Sequence, residues 1–229
     1  MYSAACFVFD AEGCGDVFLD RAEKYRVTGR IPDFTVRVTD EEAAECMLHT
    51  GLKDAEARYL ASGTKFYFEL IKRGGMMLHS SAAALDGRAY LFSGDSGAGK
   101  STHTGLWLKC FEGAYILNDD KPALTRSENG FLASGTPWSG KYDLNRDETL
   151  PVQAIAFIEQ AGDNSIERLS AKEAAVRIIP QTVRRISRER MTELLETVDR
   201  LVSTVPVFVL RCRPDEEAAR LAYSVMKTC

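Results

Sequence analysis

Residues 94–101, GDSGAGKS, form the segment whose residue types and spacing point most directly to chemistry. They match the pattern G-x-x-x-x-G-K-[ST], with Gly94, Gly99, Lys100 and Ser101 at the fixed positions. In such a loop the backbone N–H groups wrap a phosphate, and glycine permits the close approach because it has no Cβ. The lysine places a positive charge at the β- and γ-phosphates, and the serine hydroxyl can bind Mg²⁺. The segment therefore predicts binding of a magnesium–nucleotide complex.

The expected nucleotide contacts are the whole loop and the first turn of the helix that follows it. A helix beginning at Lys100 would add the positive end of its dipole to the phosphate site. No motif that reads the base is visible, so ATP, which we take as the cofactor together with Mg²⁺, is not distinguished from GTP. The predicted nucleotide-binding residues are Gly94, Asp95, Ser96, Gly97, Ala98, Gly99, Lys100, Ser101 and Thr102.

An acidic pair, Asp119-Asp120, lies 19 and 20 residues after Lys100. A helix and a return strand fit that interval, and in a βαβ unit the carboxyl ends of both strands meet at one edge. One aspartate could then bind Mg²⁺ with Ser101, and the other could take the proton from an attacking hydroxyl. Which aspartate does which stays open. Neighbouring residues of an extended strand face opposite ways, so we expect only one in direct contact with the metal. The alternative is a solvated turn.

The run GTPWSGK (135–141) is a second candidate loop, because its residues suit neither a helix nor a strand. It could present Thr136, Ser139 and Lys141 to phosphate, with Trp138 stacked on a base or substrate. The alternative is a loop anchored by a buried tryptophan.

Three further groups of side chains have a functional and a structural interpretation. Arg146 could clamp a phosphate or a carboxylate, or simply be exposed. His79, at a strand start, and His103, just inside the loop helix, could face the nucleotide or serve the structure. A basic cluster could receive an acidic protein or peptide, or be a solvated helix start. It comprises Arg184, Arg185, Arg188 and Arg190.

The elements that must position these groups are clearest in the middle of the chain. Two apolar runs, Ser81–Leu85 and Ala89–Phe92, are separated by Asp86-Gly87, which predicts a hairpin. A helix over Ser101–Phe111 and a strand over Ala114–Leu117 follow. Residues 56–72 could be strand or helix. Elsewhere the patterns predict strands in CFVFD, FTVRVTD, 122–125, 131–133, 152–159 and 205–212, and helices over 41–49, 170–177, 187–202 and 214–227.

Length and composition describe one compact soluble unit. The chain has 229 residues, 45% hydrophobic and 27% charged, with a net charge of 29 − 33 = −4. A mildly acidic chain does not suit a general binder of nucleic acid or anionic membranes, and no apolar run is long enough for a span. The N-terminus lacks a basic start, so we expect no signal peptide and a cytoplasmic protein. Six cysteines without a C-x-x-C pair favour reduced thiols over zinc or disulfides.

The segment LHSSAAALDGRAYLFSGDSGAGKST, followed by ILNDDKPAL, resembles the catalytic core of HPr kinase/phosphorylase. It is similar, more distantly, to the ATP-dependent phosphoenolpyruvate carboxykinase fold. The shared features are a histidine before the hairpin, the sequence GDSGxGKS, and a strand ending in Asp-Asp. The resemblance implies that His79 lies beside the phosphates. It also implies that Asp119 or Asp120 acts as the base in phosphorylation and as the acid in the reverse reaction.

The same resemblance implies an α/β fold, with a P-loop nucleotide-binding core of this type and a mixed β-sheet. Residues 76–229 would form that core, and residues 1–75 a subregion of strands and helices packed on it. The family's E-x-R-G-x-G signature is replaced here by SGTPWSGKYDLNRDE (134–148). We therefore expect a smaller HPr-kinase-like protein.

The expected function is a Mg-ATP-dependent kinase that transfers the γ-phosphoryl group to a hydroxyl, such as a serine of a protein or peptide. The catalytic residues would be Lys100, His79, Asp119 and Asp120. The alternatives are a nucleotide-binding regulatory module with weak ATPase activity and a kinase of a small hydroxylated metabolite. A carboxykinase-like enzyme would need a second metal site, for which the sequence shows no clear ligand set. The acceptor, the reverse reaction and any homo-oligomer stay open.

Overall fold

The computed structural model describes residues 1–182 and 186–228 as a mixed α/β protein with two β-sheets. The first sheet is formed by N-terminal residues in the order β1-β2-β3, with β1 antiparallel and β3 parallel to β2. The elements of this part are β1 (Tyr2–Ala4), β2 (Phe7–Glu12), α1 (Asp16–Arg21), β3 (Phe34–Arg37), α2 (Asp40–Thr50) and α3 (Asp54–Lys72).

Within the described residues, the second sheet has nine strands and contains both parallel and antiparallel pairs, as the resemblance implies. The strands of this sheet and the helices between them begin with β4 (Met76–Met77), β5 (Ser80–Leu85), β6 (Arg88–Ser93), α4 (Lys100–Cys110), β7 (Tyr115–Asp120), β8 (Ala123–Ser127) and β9 (Gly130–Ser134). They are followed by β10 (Thr149–Gln160), β11 (Ser165–Arg168), α5 (Ala171–Ile178), a 3-10 turn (Ile179–Gln181), α6 (Arg188–Thr204), β12 (Val207–Cys212) and α7 (Glu216–Met226). The strand order is β4-β8-β9-β10-β6-β5-β7, with β12 between β10 and β11.

The hairpin of β5 and β6 brings the two candidate motifs to one edge of this sheet. Strand β5 pairs antiparallel with β6 on one side and with β7 on the other, so β6 and β7 are parallel to each other. Ser80 lies opposite both Ser93, the last residue of β6, and Asp120, the last residue of β7. The loop after β6 and the acidic pair therefore meet at the same end of the sheet.

Two local expectations are settled by hydrogen bonding and packing. The segment 56–72 belongs to α3, whose buried side includes Phe66, Tyr67 and Leu70. The closing helix is shorter than expected, because the Asp215 side chain accepts a hydrogen bond from the Ala218 N–H and so caps it. Pro214 therefore precedes that helix instead of lying in its first turn.

Helix α3 joins the N-terminal part to the second sheet through a shared hydrophobic cluster. Phe9, Phe18 and Phe66 pack there with Met77 and Trp138. In the described ranges, no helix combines the length and the apolar character that a membrane crossing needs. Cys6, Cys14, Cys46, Cys110 and Cys212 are free.

Candidate active site

The glycine-rich loop adopts a backbone that side chains rarely permit. Gly94, Gly97 and Gly99 have φ values of 141°, 82° and 101°. A Cβ on Gly94 would also lie 3.1 Å from the carbonyl oxygen of Ile158 on the adjacent strand β10. Residues 95–97 are exposed, so the outer face of the loop is open to a ligand. These three glycines therefore provide the positive φ angles that a phosphate-wrapping loop requires.

Lys100 begins α4, and its ammonium group folds back over the loop. Its Nζ donates hydrogen bonds to the carbonyl oxygens of Gly94, at 2.9 Å, and Asp95, at 3.0 Å. Burial lowers the pKa of Lys100, and the negative charges of Asp120, Asp119 and Asp95 oppose that shift. A phosphate oxygen entering the loop would be a better acceptor for this ammonium group than the two carbonyls.

Ser101 and Asp119 form a pair of oxygen donors across the strand end. The Ser101 hydroxyl donates to Asp119 Oδ1 at 3.0 Å and also lies 3.3 Å from Oδ2. Gly140 packs against Asp119, and its backbone N–H donates to the backbone carbonyl oxygen of Asp119 at 2.8 Å. A Cβ at Gly140 would lie 3.1 Å from Asp119 Oδ2. The close approach of that loop thus depends on a small residue.

This oxygen pair fits Mg²⁺. In residues 1–182 and 186–228 no group of three or more His, Cys, Asp or Glu side chains could hold a metal on its own. A nucleotide-bound Mg²⁺ does not need one, because it keeps waters and takes one or two protein oxygens besides the phosphates. Ser101 and Asp119 supply a hydroxyl and a carboxylate of this kind.

Asp120 lines the same cleft as Asp119, although neighbouring residues of an extended strand face opposite ways. Asp120 has a φ of 92°, so the alternation of an extended strand is broken there. Its Oδ1 lies 3.2 Å from His79 Nε2, and its Oδ2 lies 2.8 Å from Lys121 Nζ. Burial raises the pKa of Asp120, but the hydrogen bond from His79 and the charge of Lys121 outweigh burial and hold it well below its usual range. The carboxylate is therefore ionised.

Gln181 links the glycine-rich loop to this carboxylate, and the sequence carries no motif that identifies it. Its side-chain oxygen lies 3.1 Å from His79 Nδ1, and its amide nitrogen donates to Asp95 Oδ1 at 3.2 Å. The backbone N–H of His79 also donates to the backbone carbonyl oxygen of Gln181 at 2.7 Å. His79 is thus held between Gln181 and Asp120, and its ring orientation is fixed.

These groups line one cleft of about 480 Å³, which we call the loop cleft. Of the predicted residues in the GTPWSGK run, Lys141 reaches it and is exposed there. The loop cleft is lined by His79, Ser96, Gly97, Gly99, Lys100, Ser101, Thr102, Asp119, Asp120, Gly140, Lys141 and Tyr142.

Thr136 and Trp138 are buried structural residues, which corrects the expectation that they face phosphate or a base. The Thr136 hydroxyl is fully buried and donates to the carbonyl oxygen of Lys121 at 3.1 Å. Trp138 is 1% exposed, its Nε1 donates to the Ser62 hydroxyl, and its ring lies 4.6 Å from that of Phe66. The alternative interpretation of this run, a loop anchored by a buried tryptophan, describes the structure.

The remaining candidates that the structure describes do not line the loop cleft. The Arg146 guanidinium stacks on the Tyr115 ring at 4.0 Å and does not clamp the loop cleft, which corrects that expectation. His103 is buried and accepts a hydrogen bond from Trp107 Nε1, and burial lowers its pKa to about 4. In the basic cluster, Arg190 packs over the Phe68 ring at 4.4 Å. Arg184 and Arg185 lie outside the described residues.

Comparison with protein families places most of this chain in one group. Residues 59–215 match the family model described as SynChlorMet cassette protein ScmC, which is more than half of the 229 residues. The chain belongs to the ScmC family. The part of this chain that matches the family model begins in α3 and includes the glycine-rich loop, the acidic pair and Gln181.

The search of curated proteins returned no match to this ScmC family member. Among solved structures, the HPr(Ser) kinase/phosphatase from Coxiella burnetii is similar to it at 12% sequence identity and a TM-score of 0.39. The alignment covers 66% of this chain and 88% of that one.

Proposed function

We propose that this protein is a Mg-ATP-dependent phosphotransferase that moves the γ-phosphoryl group to a hydroxyl. The observation that carries the proposal is the hydrogen bond from Ser101, at the start of the loop helix, to Asp119 at the end of β7. It joins a phosphate-type loop to a carboxylate in the arrangement that holds nucleotide-bound Mg²⁺ in P-loop enzymes. An adjacent carboxylate, Asp120, is available for the acceptor.

The geometry supports different roles for the two aspartates. Asp119 is bonded to the hydroxyl of the loop helix, so we assign it, with Ser101, to the metal. Asp120 instead contacts His79 and Lys121, and we assign it to the acceptor hydroxyl. The chemistry that Mg²⁺ supplies when bound is neutralisation of the charge on the β- and γ-phosphates.

In the proposed reaction the chain positions two reactants and accepts a proton. The loop N–H groups and Lys100 hold the phosphates, and Asp120 orients the acceptor hydroxyl in line with the γ-phosphorus. The acceptor oxygen bonds to that phosphorus, and the bond to the bridging oxygen breaks, releasing ADP. The acceptor proton passes to Asp120 and then to solvent. A weakly basic carboxylate suffices for this step. In a loose transition state the acceptor oxygen has formed little bond to phosphorus, so its proton is transferred late.

For the acceptor we propose a serine of a protein or peptide, with a small hydroxylated metabolite as the second possibility. We place the reaction in the cytoplasm, where ATP and Mg²⁺ are supplied. The third possibility is a regulatory module that binds ATP without transfer.

The test uses ATP labelled on the γ-phosphate, added with Mg²⁺ and the protein to an extract of the source cells. Products are separated by size, and Lys100→Ala serves as the blank. Label on a macromolecule or on a small organic compound would support the kinase and identify the acceptor class. Release of free phosphate only, at the rate of the blank, would contradict it and favour the regulatory module.

Two variants sharpen that test. Asp120→Asn should lose transfer while its ATP dissociation constant stays within a few-fold of the wild type. Asp163→Asn, at an exposed carboxylate that does not line the loop cleft, is the matched control and should transfer normally. Full transfer by Asp120→Asn would show that the acceptor base is assigned to the wrong residue.

A further inference from the structure

A second cleft, of about 690 Å³, opens on the other side of Asp120, and we call it the α3 cleft. Two of its lining residues, His79 and Asp120, also line the loop cleft, so the two spaces meet at the carboxylate assigned to the acceptor. The α3 cleft is lined by Thr50, Tyr59, Leu60, Gly63, Thr64, Tyr67, Met77, His79, Asp120, Lys121, Trp138, Pro180, Gln181 and Thr182.

One wall of the α3 cleft is a single face of helix α3. Its residues recur at helical spacing, from Tyr59 through Gly63 to Tyr67. Gly63 lets this face approach the tryptophan closely, because a Cβ there would lie 2.8 Å from Trp138 Cδ1. Pro180, Gln181 and Thr182 also line the cleft. The cleft is therefore bounded by packed elements.

The aromatic polar groups of the α3 cleft are committed to the protein itself. The Tyr59 hydroxyl donates to the Pro137 carbonyl oxygen at 3.0 Å and accepts from the Ser139 N–H at 3.1 Å. The Tyr67 hydroxyl donates to the Lys121 carbonyl oxygen. Trp138 Nε1 donates to the Ser62 hydroxyl at 3.0 Å, as described above. These rings present carbon to the cleft and direct their donors elsewhere.

The threonines that line the cleft follow the same rule. The hydroxyls of Thr50, Thr64 and Thr182 each donate to a backbone carbonyl oxygen three or four residues earlier in the chain. The side-chain nitrogen of Gln181 donates to Asp95, and its side-chain oxygen lies against His79. Away from the Asp120 end, the hydroxyl donors of the cleft are thus already used, and Leu60 adds further apolar surface.

We propose that the α3 cleft is the acceptor site, and that it selects a hydroxyl carried on an apolar or aromatic body. This inference rests on the proposed phosphotransfer function. The acceptor would place its hydroxyl at Asp120, where the two clefts meet, and its apolar body against Leu60, Met77 and the α3 wall. Burial of that body supplies the binding free energy.

The same chemistry argues against sugars, polyols and nucleosides as acceptors. Such compounds carry several hydroxyls that must each find a partner when they leave water. Away from Asp120 and Lys121, the hydroxyl donors of this cleft are spent on the protein, so most hydroxyls of a polyol would find few donors there. An apolar body can come from a peptide, as a bulky side chain next to a serine, or from a free alcohol.

The experiment measures labelled phosphate transfer from Mg-ATP to defined probes at equal concentrations. The peptide probes are N-acetyl-Phe-Ser-amide and N-acetyl-Asp-Ser-amide, the free apolar alcohol is 2-phenylethanol, and the polyol is glycerol. We expect kcat/KM to be at least tenfold higher for the phenylalanine peptide than for the aspartate peptide. 2-Phenylethanol should also exceed glycerol. Which of the two apolar probes is better then distinguishes a peptide from a free alcohol.

Two variants narrow or polarise the α3 cleft without changing Asp120. Thr64→Phe should fill it and lower kcat/KM for the apolar probes at least tenfold. Leu60→Asn has a side chain of the same branching but is polar, and it should also lower kcat/KM for the apolar probes at least tenfold. It is the second variant to use if Thr64→Phe fails to fold. Glu56→Phe is the control, because this residue lies on α3 but is exposed and outside the cleft. It should transfer to each probe at the wild-type rate.

The outcomes separate this inference from the proposed function. Transfer that favours glycerol or the aspartate peptide, or that Thr64→Phe and Leu60→Asn leave unchanged, would overturn the acceptor assignment while supporting the phosphotransferase. No transfer to any probe or to cell extract, with ATP turnover that Lys100→Ala does not alter, would overturn the proposed function itself and the acceptor site with it.

Discussion

The loops 94–101 and 135–141 flank the same acidic pair, yet they use their polar groups in opposite ways. In the first loop, Asp95, Ser96 and Gly97 are exposed. In the second, residues 135–139 are all buried, and the hydroxyls of Thr136 and Ser139 are hydrogen-bonded inside the protein. The first loop is free to bind a ligand, whereas the second holds the protein together behind it.

The difference teaches that residue type alone does not separate a ligand loop from a structural one. Glycine, serine and lysine occur in both loops. The distinguishing feature is whether polar atoms already have partners in the folded chain, since a committed donor is costly to redirect. Gly140 shows how the loops cooperate, because the second loop supports Asp119 while the first faces it.

The largest stability effect should come from the anchor of the second loop. Trp138→Ala removes a side chain that packs against Phe9, Phe18 and Phe66, and leaves a cavity among them. We expect a loss of about 3–5 kcal/mol in the free energy of unfolding. Urea unfolding followed by circular dichroism would measure it. A loss below about 1 kcal/mol would contradict the structural role of this loop.

The largest activity effect should come from the first loop. Lys100→Ala removes the cation that lies over the proposed phosphate site, and we expect turnover of Mg-ATP to fall by about 10²–10³-fold. The unfolding free energy should change little, because Lys100 is only half-buried and its ammonium group donates to two carbonyl oxygens of its own loop. Steady-state kinetics together with urea unfolding would test both statements. Unchanged turnover in a folded variant would show that this loop does not take part in the reaction.

A matched pair of hydroxyl deletions compares the two loops directly. Thr136→Val keeps the side-chain volume but removes a fully buried hydrogen bond, and should cost about 1–3 kcal/mol. Ser96→Ala removes an exposed hydroxyl and should change stability by less than about 0.5 kcal/mol. Equal effects, measured by thermal and urea unfolding, would mean that the two loops do not differ as described.

The smallest effect should come from Arg146. Its guanidinium stacks on Tyr115 at a partly exposed position, so Arg146→Ala should lower the unfolding free energy by about 0.5–1 kcal/mol. Transfer activity should stay within about twofold of the wild type. A tenfold rise in the KM for ATP would instead indicate that Arg146 contacts the phosphates of the nucleotide.

Local sequence patterns were sufficient for the parts of the site that depend on local structure. The spacing of the glycines and Lys100, and the Asp86-Gly87 hairpin, predict the loop, the helix after it and the return of β7 to the same sheet edge. These features follow from backbone geometry within one stretch of about 45 residues. The mixed sheet came from the resemblance, and the strand pairings confirm that it is mixed.

The parts that could not be predicted depend on long-range contacts. Gln181 reaches His79 across 102 residues of sequence, and Trp138 reaches Ser62 across 76. No local pattern predicts such pairs, so the sequence does not identify Gln181 and leaves Trp138 open between a stacking role and a buried anchor. The positive φ of Asp120 could not be predicted either, because the residue is not a glycine. Alternation along an extended strand would instead turn the side chains of Asp119 and Asp120 to opposite faces.

The measurement that tests the central claim most directly is the effect of Mg²⁺ on ATP affinity in the two aspartate variants. Isothermal titration calorimetry would give the ATP dissociation constant with Mg²⁺ and with EDTA. We predict that Mg²⁺ tightens binding to the wild type and to Asp120→Asn, and that Asp119→Asn loses most of this gain because Asp119 is the proposed carboxylate ligand of the metal. A wild type that binds ATP equally well with and without Mg²⁺, or not at all, would contradict the account.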